Sequence, residues 1–567
     1  MTGAALSPKN SPRWCGVLAF LVSPLAAQVG VAEVAPYAYK ELVPGVSTVE
    51  AVRLALGPPP IETEDPDDLR YPADGRRGLS DRLFFRGGKL ALVTAASADP
   101  RYERRGRILE RLGEPEAVIR FQTQEYLDYT EHGLRFVCDA DGVTTGVIYF
   151  APRARRVPAG CPNERVDLRR EQRPSGSASA PDDLRAGAAE LSIAPTRLDG
   201  LTADGDRHPV HLAEDLLARA VVFERGAQRI ALIGLDVFGL GPWDVDALRS
   251  SLATEGLDQV VVAMSHTHAN VDTVGFYGHY PAAYAARVVD RARAAALAAA
   301  RDLRPVVELR VGTTEMSLAG GRVSGLIRNG RDPGVVDPTV SLLQAIGEDG
   351  APVVNVVHLA CHPEVIRFSD TRGLSPDFVG SLCRDVSGEL GGQTVFLNGA
   401  LGGMLTPDTR FRTHEAASEM GSALAAYVIR AARGAVPSER HDLFMHRRAV
   451  DYPVTGSSVR EFLKNPPRPV DFHDGRVRSE MSVVWIGDAQ FITVPGELLP
   501  DIAFEIMASM PGRLRAVVGL ANGELGYLVP SWDFRAGGYE ERTGPGEAGG
   551  EITRTVGLEL APMTPER

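Results

Sequence analysis

The 567-residue chain is poor in cysteine and in long apolar runs, and each scarcity excludes a class of protein. Five cysteines in a chain of this length are too few for a disulfide-stapled scaffold. Beyond residue 27, no apolar run approaches the roughly 20 residues that a membrane-spanning helix requires. We therefore expect a globular mature protein without a transmembrane span.

Positive charge is also scarce. The formal net charge is −12 and the isoelectric point is near 5.6, and the one short basic cluster is RARR at residues 153–156. A nucleic-acid-binding protein needs a basic face that neutralises phosphates, so this composition argues against that class. The expected partners are small molecules, lipids or proteins.

The N-terminus has the pattern of a secretory signal peptide. Lys9 and Arg13 precede the apolar segment CGVLAFLVSPLAA at residues 15–27, which ends in small residues. We predict a signal peptide at residues 1–27 and export to the periplasm or the medium; the alternative is a buried N-terminal helix. Export leaves four cysteines, among which Cys138 with Cys161, or Cys361 with Cys383, could pair.

Three regions follow the predicted signal peptide. Residues 36–150 contain two similar units, each with a helix followed by strands: a helix within 44–60, with a capping box at Ser47 and Glu50, precedes a hairpin at 81–95, and a helix within 103–119 precedes strands at 126–150. Both helices end near a Leu-Gly-x-Pro turn, which resembles small α/β lipoproteins of outer-membrane protein assembly and makes an envelope protein partner possible; the alternative is an unrelated accessory domain. Residues 151–187 are rich in Pro, Arg, Ser and Gly, which predicts a linker.

Residues 188–567 alternate between strand and helix patterns. Apolar strand candidates lie at 229–239, 259–268, 352–363, 394–403 and 489–497, and the clearest helices lie at 284–303 and 414–434. Continuously apolar strands separated by amphipathic helices indicate a sheet buried on both faces. We predict an α/β fold with a mixed sheet covered by helices on both faces, preceded by a small α+β tandem-repeat domain.

Residues that can bind metals cluster where these strands end. The stretch QVVVAMSHTHAN at 259–270 ends an apolar strand in His266 and His268, which would share one side of a continuing strand. Asp236, His362 and Glu497 end three other strand candidates. Imidazoles with one carboxylate form the ligand set of a catalytic zinc ion, although an isolated HxH is also common at a polar strand end. His358, on an apolar strand, is predicted to be a core histidine.

An ordered series of motifs resembles the neutral/alkaline, non-lysosomal ceramidase family. The series spans most of residues 188–540 and consists of LRAGAAELSIAP (184–195), EDLLARAVVF (214–223), SHTHAN (265–270), CHPEVI (361–366), SPDFVG (375–380), VPGEL (494–498), LANGELGYLVP (520–530) and GGYEERTGPG (537–546). The resemblance implies a zinc-dependent amidohydrolase that acts on ceramide or a related N-acyl lipid.

The same resemblance assigns roles to individual residues. It implies a zinc ion held by His266, His362, Glu497 and Tyr527, with His268 as a proton-transfer group beside the bound water. His268 could equally be an outward-facing polar residue. Arg322, in GGRVSG, matches the arginine that the family carries near its site.

The chain departs from the family pattern in two places. In NGALGGMLTPD (398–408), Gly403 stands where the family has an aspartate, and Thr406 is the nearest hydroxyl and a candidate catalytic residue. Ser192 likewise replaces the usual aspartate of the opening motif. Both changes concern substrate holding and leave the metal ligands intact.

Three functions fit the sequence. The leading hypothesis is an exported zinc hydrolase of an N-acyl amide bond. The second keeps the metal and changes the bond to an ester, a lactone or a phosphoester. The third is a non-catalytic envelope protein whose N-terminal repeats bind a partner.

Overall fold

The computed structural model describes residues 38–60, 68–73, 80–86, 88–96, 99–152, 165–169, 183–201, 208–277, 279–319, 322–323, 326–332, 335–367, 371–409 and 411–565. The predicted signal peptide, Cys161 and most of the predicted linker lie outside these residues. Among the described helices, none is both long enough and apolar enough to cross a membrane. Cys138, Cys361 and Cys383 are buried free thiols, so Cys361 and Cys383 are not paired.

The helices differ widely in length. They are α1 Val49–Leu56, α2 Arg105–Leu112, α3 Pro242–Ala253, α4 Ala282–Arg301, α5 Phe378–Leu390, α6 His414–Arg433, α7 Ser457–Phe462, α8 Pro500–Ala508, α9 Tyr539–Thr543 and α10 Glu547–Leu560, with single 3₁₀ turns at Pro100–Tyr102, Thr130–His132 and Ser531–Asp533.

The N-terminal part is an eight-stranded sheet with two helices. Its strands are β1 Asp68–Pro72, β2 Ser80–Arg86, β3 Lys89–Ala95, β4 Ala117–Arg120, β5 Gln124–Tyr129, β6 Leu134–Asp139, β7 Thr144–Phe150 and β8 Arg165–Asp167, in the order β1-β2-β3-β7-β6-β5-β4-β8. Helix α1 precedes β1–β3 and α2 precedes β4–β7, and the two units meet where β3 pairs with β7. Strand β8 lies within the predicted linker and pairs with β4.

The cap of α1 lies one residue later than the sequence suggested. The Thr48 hydroxyl accepts a hydrogen bond from the Ala51 N–H at 3.3 Å, whereas the Ser47 hydroxyl accepts one from Val43 N–H at 2.9 Å. Adjacent Ser and Thr residues can both cap a helix, and the sequence pattern alone does not decide between them.

The two faces of the N-terminal sheet are buried differently. Val52 of α1 and Ile108 of α2 pack on one face. The other face contributes Leu92, Tyr126 and Ile148 to the main core of the larger domain. The N-terminal part is therefore packed directly on the larger domain.

The larger domain contains two main sheets. The first has the order β13-β12-β11-β9-β14-β18-β19-β21, with β23 on β14; its strands are β9 Leu184–Ser192, β11 Leu217–Arg225, β12 Gln228–Leu235, β13 Gln259–Met264, β14 Arg304–Glu315, β18 Thr339–Gly347, β19 Pro352–Leu359, β21 Gln393–Asn398 and β23 Val436–Pro437. The second consists of β24 Leu443–Pro453, β25 Phe472–His473, β26 Arg476–Ile486, β27 Ala489–Thr493 and β29 Leu514–Val518.

Three small sheets are also present among the residues that the structure describes. They are the parallel pair β10 His211–Leu212 with β20 Gly373–Leu374, the parallel pair β28 Glu497–Leu498 with β30 Tyr527–Leu528, and the group β15 Leu318–Ala319, β16 Arg322–Val323, β17 Ile327–Asn329 and β22 Leu405–Pro407.

The two main sheets pack face to face with helices outside them. Leu232 of β12, Val356 of β19 and Val484 of β26 share one apolar core between the sheets. Helix α4 lies against β9 and β11, α6 lies against β14, and α10 lies against β24 and β26. The predicted α/β class and mixed sheet are confirmed, and the helices cover a double layer of sheets. An apolar strand looks the same in sequence whether a helix or a second sheet buries it.

Candidate active site

The two histidines of SHTHAN lie in a turn rather than on a continuing strand. Strand β13 ends at Met264, and His266 has a φ of 68°, so the predicted extended path through 268 was wrong. The turn is held because His266 N–H donates to Val237 O at 3.0 Å and His268 N–H donates to Pro363 O at 2.9 Å. The two imidazole rings nevertheless meet, with centroids 4.9 Å apart.

Backbone carbonyls fix the orientation of His266 and His362. The Nδ1 atom of His266 lies 2.6 Å from Phe238 O, and the Nδ1 atom of His362 lies 2.9 Å from Leu405 O. A carbonyl oxygen only accepts hydrogen bonds, so each Nδ1 carries the proton and donates it. Each Nε2 atom is then the nitrogen that could bind a metal ion, as in metal sites whose histidines are oriented by such bonds.

Glu497 lies between these two nitrogens. Its Oε1 atom is 3.7 Å from His266 Nε2 and its Oε2 atom is 2.8 Å from His362 Nε2. Strand β28 pairs with β30 so that Glu497 is opposite Tyr527, whose hydroxyl hydrogen-bonds with the Glu497 carboxylate and lies 3.2 Å from Met404 Sδ. The structure thus brings together all four residues that the resemblance proposed as ligands.

His268 completes the cluster. Its ligand nitrogen, and those of His266 and His362, lie within 4.8 Å of one another. The His268 Nε2 atom is buried and has no hydrogen-bond partner among the described residues. Burial, and then the neighbouring His266, lower the pKa of His268 to about 3, so the ring is neutral at physiological pH.

The charges in the cluster suit a cation. Burial lowers the pKa of His266. Burial opposes charge on His362 and on Glu497. The hydrogen bond and attraction to Glu497 nevertheless raise the pKa of His362, and the attraction of His266 together with the bond from His362 lowers the pKa of Glu497. A proton shared between these two side chains thus occupies a position where a metal ion would bind. The imidazole nitrogens of His266 and His362 and the ionised carboxylate of Glu497 together form a donor set that fits a metal ion such as zinc.

Glu364 was missed by the sequence analysis. This buried carboxylate accepts a hydrogen bond from the Thr406 hydroxyl at 2.5 Å. Burial opposes its ionisation, but the nearby His268 and His362 outweigh burial and lower the pKa of Glu364 to about 2. It stands two residues after His362 in CHPEVI, and an acidic residue so close to a candidate ligand is the signal that could have identified it.

The other residues that the sequence analysis singled out differ in where they lie relative to the histidine cluster. Thr406 reaches the cluster through Glu364. The backbone of Arg322 lies on β16, in the same small sheet as Thr406, while its side chain lies outside the described part. Asp236 is not in the cluster, because its carboxylate binds Arg219 at 2.8 Å. His358 remains in the core, where Nε2 donates to Val517 O at 2.9 Å.

The two departures from the family pattern have local explanations. Gly403 has a φ of 77°, and a Cβ atom there would lie 2.9 Å from Asn329 Nδ2. The Asn329 side chain fills the space where an aspartate at 403 would begin. Ser192 donates a hydrogen bond to Asp215 Oδ1 at 2.6 Å.

An apolar pocket opens beside the cluster. His266, His268, Glu497 and Tyr527 line it, and the loop after β13 and the segment around α7 supply most of its apolar wall. The apolar wall residues are Phe238, Pro242, Trp243, Val274, Phe276, Val459, Phe462, Leu463, Val470, Val477 and Leu525. An apolar pocket with a few polar groups at one end is typical of small-molecule sites.

The fold and this centre define an α/β protein with a buried histidine-carboxylate cluster beside an apolar pocket. Its fold is that of neutral ceramidase from Pseudomonas aeruginosa, with a TM-score of 0.56 at 17% identity over 67% of this chain and 74% of that chain. A ceramidase structure complexed with C2 is similar, with a TM-score of 0.54 at 16% identity over 67% and 75% of the two chains. The predicted resemblance is thereby confirmed for the fold. The sequence matches no protein-family profile and no curated protein.

Proposed function

We propose that the protein is a zinc-dependent hydrolase that cleaves an N-acyl amide bond in ceramide or a related lipid. The main support is the orientation of His266 and His362, whose Nδ1 atoms are bonded to carbonyls while both Nε2 atoms face Glu497. The fold shared with neutral ceramidase supports the substrate class.

His266, His362 and Glu497, with the Tyr527 hydroxyl beside them, would hold the zinc ion. Bound there, zinc would lower the pKa of a coordinated water and polarise the amide carbonyl. The protein's own contribution is to keep His266 neutral through burial and Glu497 ionised. Bonds from the Nδ1 atoms to Phe238 O and Leu405 O hold the rings in place.

His268 is suited to move the proton. Its ring is neutral, it lines the pocket, and its Nε2 atom is buried with no hydrogen-bond partner in the part of the chain that the structure describes. It can accept a proton from the attacking water and return it to the leaving amine, as general acid-base catalysis requires. Glu364, held by Thr406, stabilises the protonated form of His268 electrostatically.

The pocket wall suits an acyl chain. Its apolar residues from the loop after β13 and from α7 would bury methylene groups, while the polar end would place the amide at the histidines.

Hydrolysis tests this proposal. The purified protein is incubated with an N-acyl sphingoid and with an ester of the same acyl chain, alongside His362→Ala. Amide cleavage that is lost in the variant is expected. Cleavage of the ester alone would favour the second hypothesis, an esterase or lactonase, which the altered turn around Gly403 and Asn329 supports.

We also propose export, on the basis of residues 1–27. N-terminal sequencing of protein recovered outside the cytoplasm should begin near residue 28. An intact Met1 on the recovered protein would contradict the predicted cleavage.

A further inference from the structure

The strand beside the cluster, β22, supports two of its residues. Leu405 O accepts hydrogen bonds from the His362 backbone N–H at 2.7 Å and from its Nδ1–H at 2.9 Å. The next residue, Thr406, binds Glu364. Any displacement of β22 would therefore move the His362 ring and the Glu364 carboxylate together.

Strand β22 is held by its antiparallel partner β17. Leu405 is opposite Asn329 in this pair, and Gly330 N–H donates to Met404 O at 3.0 Å just beyond it. The Tyr527 hydroxyl contacts the same Met404 through sulfur. The β17–β22 pair therefore contacts two of the proposed ligands, His362 and Tyr527.

The N-terminal sheet anchors both strands of the β17–β22 pair. Arg82 of β2 binds Asp408, one residue after β22, with Nη1 2.7 Å from Oδ1 and side-chain exposures of 2% and 4%. Arg135 of β6 binds Asp332, three residues after β17, with an Nη1 to Oδ1 distance of 3.3 Å. The backbone N–H of Asp332 in turn donates to the Asn329 side chain at 2.8 Å.

These ion pairs are better suited to fixing position than to adding stability. Burying two charges carries a desolvation cost that largely offsets their attraction, so such a pair is weak evidence for stability. A planar guanidinium with directed donors does restrict where its carboxylate partner can lie. Two such ion pairs at the ends of adjacent strands restrict the positions of both β17 and β22.

We propose that Arg82 and Arg135 are positioning residues for the metal centre, and that the N-terminal sheet acts as an intramolecular clamp on it through β17 and β22. This inference rests on the proposed metal-dependent function. It gives the N-terminal repeats a role within the same chain.

Metal affinity tests the clamp without measuring turnover. Full-length Arg82→Met, Asp408→Asn and the double variant are loaded with Co²⁺, whose visible absorption reports ligand geometry, and the affinity is measured by chelator competition. The matched control is Arg554→Met, which removes a buried pair with Glu505 between α10 and α8. Arg82→Lys tests rescue by a retained charge.

The clamp predicts that Arg82→Met and Asp408→Asn each weaken Co²⁺ binding about tenfold or more and shift the absorption band, as loss of groups that orient ligands does. The double variant should resemble the singles, Arg82→Lys should recover part of the affinity, and Arg554→Met should bind normally. Folded Arg82→Met and Asp408→Asn proteins with unchanged affinity and spectrum would overturn the clamp. If Arg82→Met does not fold, the isosteric Asp408→Asn decides. An unmodified protein that binds neither Co²⁺ nor Zn²⁺ would instead overturn the proposed function, and the clamp with it.

Discussion

At the residue scale, the site depends on which nitrogen of each imidazole carries a proton. Phe238 O and Leu405 O accept hydrogen bonds from the Nδ1–H groups of His266 and His362, and His268 is the cluster histidine whose Nε2 has no partner among the described residues. The three rings are therefore not equivalent. Two are oriented towards Glu497, and the third is available to exchange a proton.

His268→Ala separates these roles. Because His268 is proposed to transfer protons and not to bind the ion, the variant should retain its zinc while hydrolysis falls by roughly 10²- to 10⁴-fold. Zinc content and turnover are measured on the same preparation. Loss of zinc from His268→Ala would instead make this histidine a ligand.

Asp377 should make stability depend on pH. Burial raises the pKa of Asp377 to about 7, despite hydrogen bonds from the N–H groups of Phe378 and Ile366. The folded state therefore holds this proton more tightly than the unfolded state, and stability declines as the pH rises from about 4 to about 7. Asp377→Asn should remove a pH-dependent loss on the order of 4 kcal/mol across that window. Denaturant unfolding at several pH values checks this, and parallel profiles for parent and variant would contradict it.

At the element scale, the turns that follow the strands position the residues of the site. The sequence correctly located β12, β13, β19, β21, α4 and α6, because each has a long, clear apolar pattern. It did not show that β13 stops at Met264, because the left-handed conformation of His266 is set by contacts to Val237 and Pro363, distant in sequence. Glu497 follows β27, which belongs to the second sheet, so the site forms where two sheets meet.

The turn that contains Gly403 should be destabilised by aspartate, the residue that the family pattern has at this position. Gly403→Asp would place a side chain at positive φ and against Asn329, so we expect a loss of about 1–2 kcal/mol or more in unfolding free energy and no gain in activity. The control is Gly388→Ala on α5, where a Cβ meets no atom of the described residues within 4 Å and a gain of up to about 1 kcal/mol is expected. A more active or more stable Gly403→Asp protein would refute this explanation of the departure.

The apolar pocket wall around α7 should make the protein prefer substrates with a long acyl chain. Phe462 lines the pocket, and its ring centroid lies 6.0 Å from that of Phe276. Phe462→Ala should raise KM for a long acyl chain roughly tenfold, with little effect on a two-carbon acyl group or on kcat. Leu54→Ala on α1, at a side chain that is 89% exposed, is the control. Equal effects on both substrates would show that the pocket does not hold the acyl chain.

At the scale of the whole molecule, the features that the sequence did not predict depend on contacts between residues that are far apart in the chain. The motifs around His266, His362, Glu497 and Tyr527 identified a set that the fold does bring together. The packing of two sheets face to face, the pocket wall and the Arg82–Asp408 contact all join segments far apart in the chain. No local pattern in a single sequence encodes such contacts.

The most direct test of the account is the zinc content of the purified full-length protein, measured beside His266→Ala, His362→Ala and, as a buried-histidine control, His358→Ala. We predict about one zinc ion per chain in the parent and in the control, and loss of zinc in both other variants. An unmodified protein that contains no zinc and takes up none on reloading, or variants that retain it, would contradict the metal-dependent hydrolase proposed here.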